Sequence, residues 1–226
     1  MDTIEIDIWS DIACPWCWIG KRSLDAALVG LEHAVTLRWR AFELNPEAPR
    51  TAPLQVDYVA RLADKYAVSR AEAEGFVERM VGAGRDRGIE IRFDRIRPGN
   101  TFDAHRLLAH ARTKGMQTAL KERLFSAYLS EGRAICELDT LRELASDIGL
   151  DSDGVATLLL SDDHADEVRA DQALAQRLGI NGVPCFVFPQ LQQGLSGAQP
   201  PDVLRAAIER AASQVDSKSG GASGPA

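Results

Sequence analysis

Ile4-Glu5-Ile6-Asp7-Ile8-Trp9-Ser10-Asp11-Ile12-Ala13-Cys14-Pro15-Trp16-Cys17 is the stretch on which the reading of this chain turns. Apolar and acidic side chains alternate from Ile4 to Trp9, the period of a strand with one buried face. At Pro15 the period changes. Ile19, Leu24, Ala27, Leu28 and Leu31 recur at helical spacing, and proline is well tolerated at a first helical position. Gly20 is a mild cost inside that helix. Val35 to Phe42 alternates again, so the opening reads β-loop-α-β, with two cysteines where strand gives way to helix.

Working outward, Asn45 to Pro53 carries three prolines and no period, and reads as a connector. The chain from there to about Arg177 is read as almost wholly helical. Asn100 with Asp103 is expected to cap a helix carrying Phe102, Leu107 and Leu108; Asp139 is expected to cap a helix over Leu141 to Ile148; Gly149 and Gly179 mark helix ends. The strand pattern then returns at Pro184 to Phe188 and Gly194 to Gly197. Pro201-Asp202 opens a final amphipathic helix with Val203, Leu204, Ala207 and Ile208 on its apolar side. The expected organisation is a βαβ half over residues 1–50, a helical insertion over 51–165, a ββα half with its leading helix over 166–212, and a disordered polar tail over 213–226. The fold class is therefore α/β: two halves closing one sheet, with helices bulging out between them.

A chain of 226 residues buries enough surface for a core without staples. Hydrophobic residues at 45% and charged residues at 26% are ordinary for globular proteins and exclude fibrous and disordered classes. No run approaches the ~20 apolar residues of a membrane span, and the acidic opening lacks a signal-peptide pattern. A net charge of −7 without a dense basic run argues against nucleic acid or an anionic membrane as partner. A cytoplasmic location is expected. Four cysteines are too few for a disulfide scaffold, so a close pair in a reducing compartment points to catalysis or metal binding.

Cys14-Pro15-Trp16-Cys17 fits redox chemistry. A thiolate attacks a disulfide, and a free thiol pKa of about 8.5 leaves little thiolate at neutral pH. A cysteine at a helix N-terminus faces unpaired N–H groups and the positive dipole end, which favour its ionised form. Cys17, one turn deeper, is set to attack a mixed disulfide on Cys14. The first turn holds no acidic residue, and Lys21 and Arg22 are expected to add positive charge nearby. Zinc is the rival reading of such a pair, but a second pair is missing: Cys136 and Cys185 lie far apart, and His33, His105, His110 and His164 form no ligand-spaced couple with either. No metal is expected.

Gly182-Val183-Pro184-Cys185 follows the insertion, and a Val183–Pro184 cis bond is a reasonable expectation there. Cys185 and Cys136 are either small buried core residues or accessory redox cysteines that exchange with each other or with the pair. His105 is expected to be a satisfied structural histidine. Asp11 serves either as a turn residue or as a proton relay. Trp16 is expected to be exposed and to offer an apolar substrate contact, while Trp18 and Trp39 belong to the core. Arginines between Arg61 and Arg97 either form solvated helix faces or line a cleft for an acidic thiol such as glutathione.

Together, Ser10-Asp11, Cys14-Pro15-Trp16-Cys17, Gly20-Lys21-Arg22, Gly182-Val183-Pro184 and Ser196-Gly197-Ala198-Gln199-Pro200 resemble the DsbA-like thioredoxin-fold oxidoreductases, in particular the FrnE subgroup. Asn100-Thr101, Ala104-His105-Arg106-Leu107 and Glu131-Gly132-Arg133 resemble that subgroup's helical domain. The resemblance implies a thioredoxin-like fold with an inserted helical domain. It also implies Cys14 and Cys17 as the redox pair, Pro184 as the cis-proline beside them, and Val183 as a strand edge for an extended substrate. Pro15 and Trp16 would complete the substrate contacts. The chain departs from the thioredoxin-like pattern at Ile8, where many such proteins carry a buried carboxylate, and at Trp16, where periplasmic DsbA has histidine; a less oxidising pair is expected.

The implied activity is thiol-disulfide exchange or isomerisation on protein or small-molecule thiols, with no cofactor beyond the dithiol and with glutathione as an admissible co-substrate. One rival is a glutathione-dependent transferase or isomerase of the kappa-class or 2-hydroxychromene-2-carboxylate isomerase type, whose pattern has serine at the position of Cys14. The other is a redox-regulated binding module or holdase. Apolar faces in the insertion serve equally for a homodimer interface and for packing on the sheet.

Overall fold

The computed structural model describes residues 3–53 and 56–220. β1 (Ile4–Ser10) leads through the cysteine turn into α1 (Pro15–Leu28), and β2 (Val35–Ala41) returns parallel to β1, with Ile4 opposite Val35 and Ile8 opposite Trp39. A parallel pair needs a crossover, and α1 supplies it. The helical stretch comprises α2 (Tyr58–Tyr66), α3 (Arg70–Arg85), α4 (Phe102–Thr113), α5 (Gln117–Leu129), α6 (Leu138–Asp147), α7 (Ser152–Leu160) and α8 (Ala165–Arg177). β3 (Cys185–Phe188) then pairs antiparallel with β1, β4 (Gln193–Ser196) pairs antiparallel with β3, and α9 (Pro201–Gly220) closes the chain. The sheet order is β2-β1-β3-β4, so strands from both ends of the sequence form one sheet.

Two apolar cores follow from the periodicities. Ile4, Ile6 and Ile8 on one face of β1 pack with Leu24 and Ala27 of α1 and Leu204 and Ile208 of α9. The second core gathers Leu107, Leu120, Leu124, Phe125, Leu141 and Leu158 from the inserted helices. Ile12, Cys14, Cys17 and Trp18 belong to this second core, so the cysteine turn is a seam between sheet and insertion. α8 docks back on the sheet: the Asp171 carboxylate accepts from Arg40 Nη1 at 2.8 Å and from the Ala41 amide at 3.0 Å, and its backbone carbonyl accepts from Trp9 Nε1 at 3.0 Å. Among the described residues no helix is long and apolar enough to cross a membrane.

Three local expectations need correction. α9 continues through Ser213 to Gly220, where a disordered tail was expected from residue 213. Ala211, Ala212 and Val215 are buried and extend the stripe of Leu204, Ala207 and Ile208 at helical spacing, a signal masked by the serine- and glycine-rich composition. Residues 221–226 of that expected tail lie outside the described residues. α4 is capped at Thr101; Asn100 instead donates to Glu43 and to the Pro46 carbonyl, tying the connector to the helix while its Oδ1 accepts from the Phe102 amide. α6 starts at Leu138, which puts Asp139 inside the first turn rather than at the cap. Gly149 and Gly179 end α6 and α8 with φ of +82° and +69°, a region that suits glycine.

Candidate active site

Cys14 is the N-cap residue of α1, in extended conformation, with Pro15 opening the helix and no acidic residue in the first turn. Proline has no N–H to leave unpaired there, and Cys14 sits at the positive end of the helix dipole without a side-chain cap hydrogen bond. The turn is tightened by Cys14 N donating to the Asp11 carbonyl at 3.2 Å and Cys17 N to the Cys14 carbonyl at 3.0 Å. Both cysteines are free thiols; Cys14 is 5% exposed and Cys17 fully enclosed. Burial first, and then the neighbouring Cys14, push the Cys17 thiol well above its ordinary pKa.

The Val183–Pro184 bond is cis, and the Cys14 thiol donates to the Val183 carbonyl at 3.5 Å. That contact joins residues 169 apart in sequence. Gly20 explains itself here, since a Cβ at that position would lie 3.0 Å from the Pro184 ring and 3.2 Å from the Phe186 ring. The glycine lets α1 lie close against the Pro184 loop. The Pro184 carbonyl in turn accepts from Gly197 N at 2.8 Å, which anchors the loop to β4.

A cleft of about 770 Å³ opens beside Cys14, and Pro15 and Trp16 line it, Trp16 being 39% exposed. Its far wall comes from the insertion: Tyr58, Arg61 and Lys65 of α2 and Phe76 and Arg79 of α3. Among the described residues, no carboxylate pairs with Arg61, Lys65 or Arg79, although most other arginines have an acidic partner; Lys65 and Arg79 lie over the rings of Tyr66 and Phe76.

Lys21 and Arg22 do not bring net charge to the pair. Lys21 is bound to Asp25 at 2.8 Å and Glu122 at 2.9 Å, Arg22 to Glu122 at 2.5 Å, and Trp18 Nε1 donates to the same carboxylate at 3.0 Å. A cation that sequence reading overlooked reaches the pair from the insertion. Lys121 of α5 is fully buried, and Nζ donates to the Ser10 carbonyl at 3.4 Å. Its apolar neighbours on the helix, Leu120, Leu124, Phe125 and Tyr128, were the available signal: a lysine within an apolar stripe is held there by something other than solvent. Asp11 is also buried, accepting from the Ala13 amide at 3.3 Å and the Leu44 amide at 2.8 Å, with His105 Nε2 at 3.6 Å from it. Burial alone would raise the Asp11 carboxyl, but His105, the Leu44 amide and Lys121 together hold it below the usual range. His105 thus lies beside Asp11 with its Nε2 lacking a hydrogen-bond partner among the described residues, rather than being the satisfied histidine expected.

Cys185 pairs with Trp9 and Ser196 in the sheet and packs with Trp9, Ala175 and Ile180, a different cluster from that of Cys14 and Cys17. Cys136 packs against the backbone of Gly99, a residue of the cleft wall. Burial raises both thiols.

The structure thus brings together a thiol at a helix N-terminus, a second thiol one turn behind it and a cis-proline loop across from them. The description DSBA-like thioredoxin domain matches residues 5–209. The chain is similar to the crystal structure of a probable DsbA oxidoreductase, SCO1869, from Streptomyces coelicolor, at 35% identity and a TM-score of 0.84, covering 93% of this chain and 90% of that one. It is 28% identical to the uncharacterised protein YwbO of Bacillus subtilis (strain 168), over 91% of this chain and 96% of that one. Its fold is also similar to that of the cytosolic disulfide reductase DsbM from Pseudomonas aeruginosa, solved with glutathione, at 22% identity and a TM-score of 0.64, over 92% of this chain and 98% of that one. With the match running from the first strand into the last helix, the chain belongs to the DsbA-like thioredoxin-domain family.

Proposed function

We propose that the chain is a cytoplasmic thiol-disulfide oxidoreductase or isomerase working through Cys14 and Cys17. The observation that carries this reading is the pairing of a Cys14 sulfur at the mouth of a cleft, 3.5 Å from the Val183 carbonyl, with a Cys17 that is fully enclosed behind it. Only the outer sulfur can meet a substrate. The Cys14 thiolate attacks one sulfur of a substrate disulfide, forming a mixed disulfide and releasing one substrate thiolate, which takes up a proton. Cys17 then attacks the Cys14 sulfur and expels the second substrate thiol. The substrate gains two electrons and two protons, and the enzyme dithiol becomes a disulfide. Two equivalents of a low-molecular-weight thiol, or one protein dithiol, return it to the dithiol state and leave as a disulfide. The backbone at Val183, just before Pro184, is suited to pair with an extended substrate chain, and Pro15 and Trp16 offer it apolar contact.

Glutathione as the returning thiol is favoured by Arg61, Lys65 and Arg79, cations of the cleft wall without carboxylate partners among the described residues. The glutathione-transferase alternative gains nothing from this geometry, because it assigns no task to an enclosed second thiol one turn behind the first. In a reducing cytoplasm the pair would rest as the dithiol, so reductase or isomerase action is favoured over oxidation of folding clients. A glutathione redox titration with alkylation of every cysteine tests the reading. Cys14 and Cys17 should titrate together as one two-electron couple, and Cys14→Ser should abolish turnover. A Cys14 that carries glutathione without ever bonding to Cys17 would overturn the dithiol mechanism.

A further inference from the structure

Ile8 carries no proton, yet the thiol of Cys17 must lose one before it can resolve a mixed disulfide. Cys17 is fully enclosed, so the acceptor has to be a neighbouring group rather than bulk water. Three buried polar groups near the β1–α1 turn are poorly satisfied. The Ser10 hydroxyl and His105 Nε2 are buried without a hydrogen-bond partner among the described residues. Lys121, with three donors, makes one long bond to the Ser10 carbonyl at 3.4 Å and otherwise faces the rings of Phe125 at 5.0 Å and Trp39 at 5.7 Å.

The charged groups around Lys121 are few. Asp11 and Cys14 of the β1–α1 turn and Cys17 of α1 attract its charge, and Cys14 and Cys17 share one core with Phe125, whose ring lies 5.0 Å from Lys121 Nζ. His105 on α4 faces Asp11. Arg40 on β2 is occupied by Asp7 and Asp171, while Lys21 and Arg22 on α1 are occupied by Glu122 and Asp25. Among the described residues no carboxylate forms an ion pair with Lys121, and Asp11, which attracts it, is engaged by the Ala13 and Leu44 amides.

Resting on the dithiol reading, we propose that Lys121 is the positioning group for Cys17, accepting the Cys17 proton as the mixed disulfide is resolved. In that step the Cys17 S–H proton passes to the neutral Lys121 amine. The Cys17 sulfur bonds to the Cys14 sulfur, and the bond from Cys14 to the substrate sulfur breaks. The departing thiolate then takes a proton from solvent, and Lys121 returns its own proton to solvent. Burial, working against the attraction of Cys17, Asp11 and Cys14, holds Lys121 down to about 8, so neutral amine is present near neutral pH. An ordinary lysine, at about 10.4, would supply almost none.

The test is a single turnover of reduced full-length protein, in excess, with 5,5′-dithiobis(2-nitrobenzoate), whose thiolate is coloured. The first release follows attack by Cys14 and depends on protein concentration; the second follows resolution by Cys17 and does not. In the natural protein the second phase should rise with pH about a midpoint near 8 and then level. Lys121→Met and Lys121→Gln should leave the first phase within about threefold and slow the second about 10- to 100-fold at pH 7, with its rise displaced upward. Lys121→Arg keeps the charge but cannot give up its proton, so it should also resolve slowly. A second phase unaltered in the neutral variants, equal slowing of both phases, or full resolution by the arginine variant would overturn the proposal. If no variant folds, the natural protein decides, since a rise centred above the ordinary thiol value would exclude Lys121. Absence of the first phase would instead defeat the dithiol reading itself.

Discussion

The buried ammonium of Lys121 donates to the carbonyl of Ser10, the last residue of the strand that leads into the cysteine turn, at 3.4 Å. One lysine from the inserted helices therefore completes the underside of a site whose cysteines sit at the other end of the sheet half. The insertion is part of the proposed site, because its core contains Cys14 and Cys17 and its helices α2 and α3 wall the cleft.

Burying Lys121 costs stability. Its folded pKa, about 8, lies below its unfolded value of 10.5, so below pH 8 the full penalty applies, and it is relieved as pH rises between the two values. Lys121→Met should therefore raise stability by about 1–3 kcal/mol at pH 7 while slowing resolution. Urea denaturation at pH 7 and pH 10 checks this, and the advantage of the variant should shrink at the higher pH.

Asp171 ties α8 to β2 through Arg40 and the Ala41 amide. Asp171→Ala leaves a buried amide unpaired and Arg40 with Asp7 alone, and should cost about 2–4 kcal/mol in urea denaturation. Asp171→Asn keeps an acceptor for Ala41 and should recover part of the loss.

The glutathione reading gives Arg61 and Lys65 of the cleft wall a charge-based role, which can be measured. The double variant Arg61→Ala, Lys65→Ala should raise KM for glutathione disulfide about 3- to 10-fold with kcat nearly unchanged, and the effect should fade as salt rises. An equal effect on an uncharged disulfide would remove glutathione recognition as their role.

Cys136 and Cys185 are buried thiols with raised pKa values, Cys185 in a cluster apart from the dithiol and Cys136 behind Gly99 of the cleft wall. Cys136→Ala and Cys185→Ala should each leave turnover within about twofold of the natural protein. A midpoint potential moved by either substitution would instead assign that cysteine an accessory redox role.

The opening strand, the proline-started helix and the cysteine pair were all legible in sequence, because a period of two, a period of 3.6 and a proline at the first helical position are local properties. Trp16 outside and Trp18 and Trp39 inside were equally legible from their places in those patterns. The last two turns of α9 were missed although Ala211, Ala212 and Val215 kept the spacing, since composition was weighed above period.

What sequence by itself determined is the cysteine turn and its helix: Cys14, Pro15 and Cys17 acquire their geometry within a single turn. Which charges the pair feels was decided by tertiary structure alone. Lys21 and Arg22 are close in sequence but are neutralised by Asp25 and Glu122, whereas Lys121, 104 residues beyond Cys17, enters the enclosure. Val183 likewise meets Cys14 only because β3 pairs with β1. Electrostatic interaction depends on distance and burial in the folded chain, and neither is a function of separation along it.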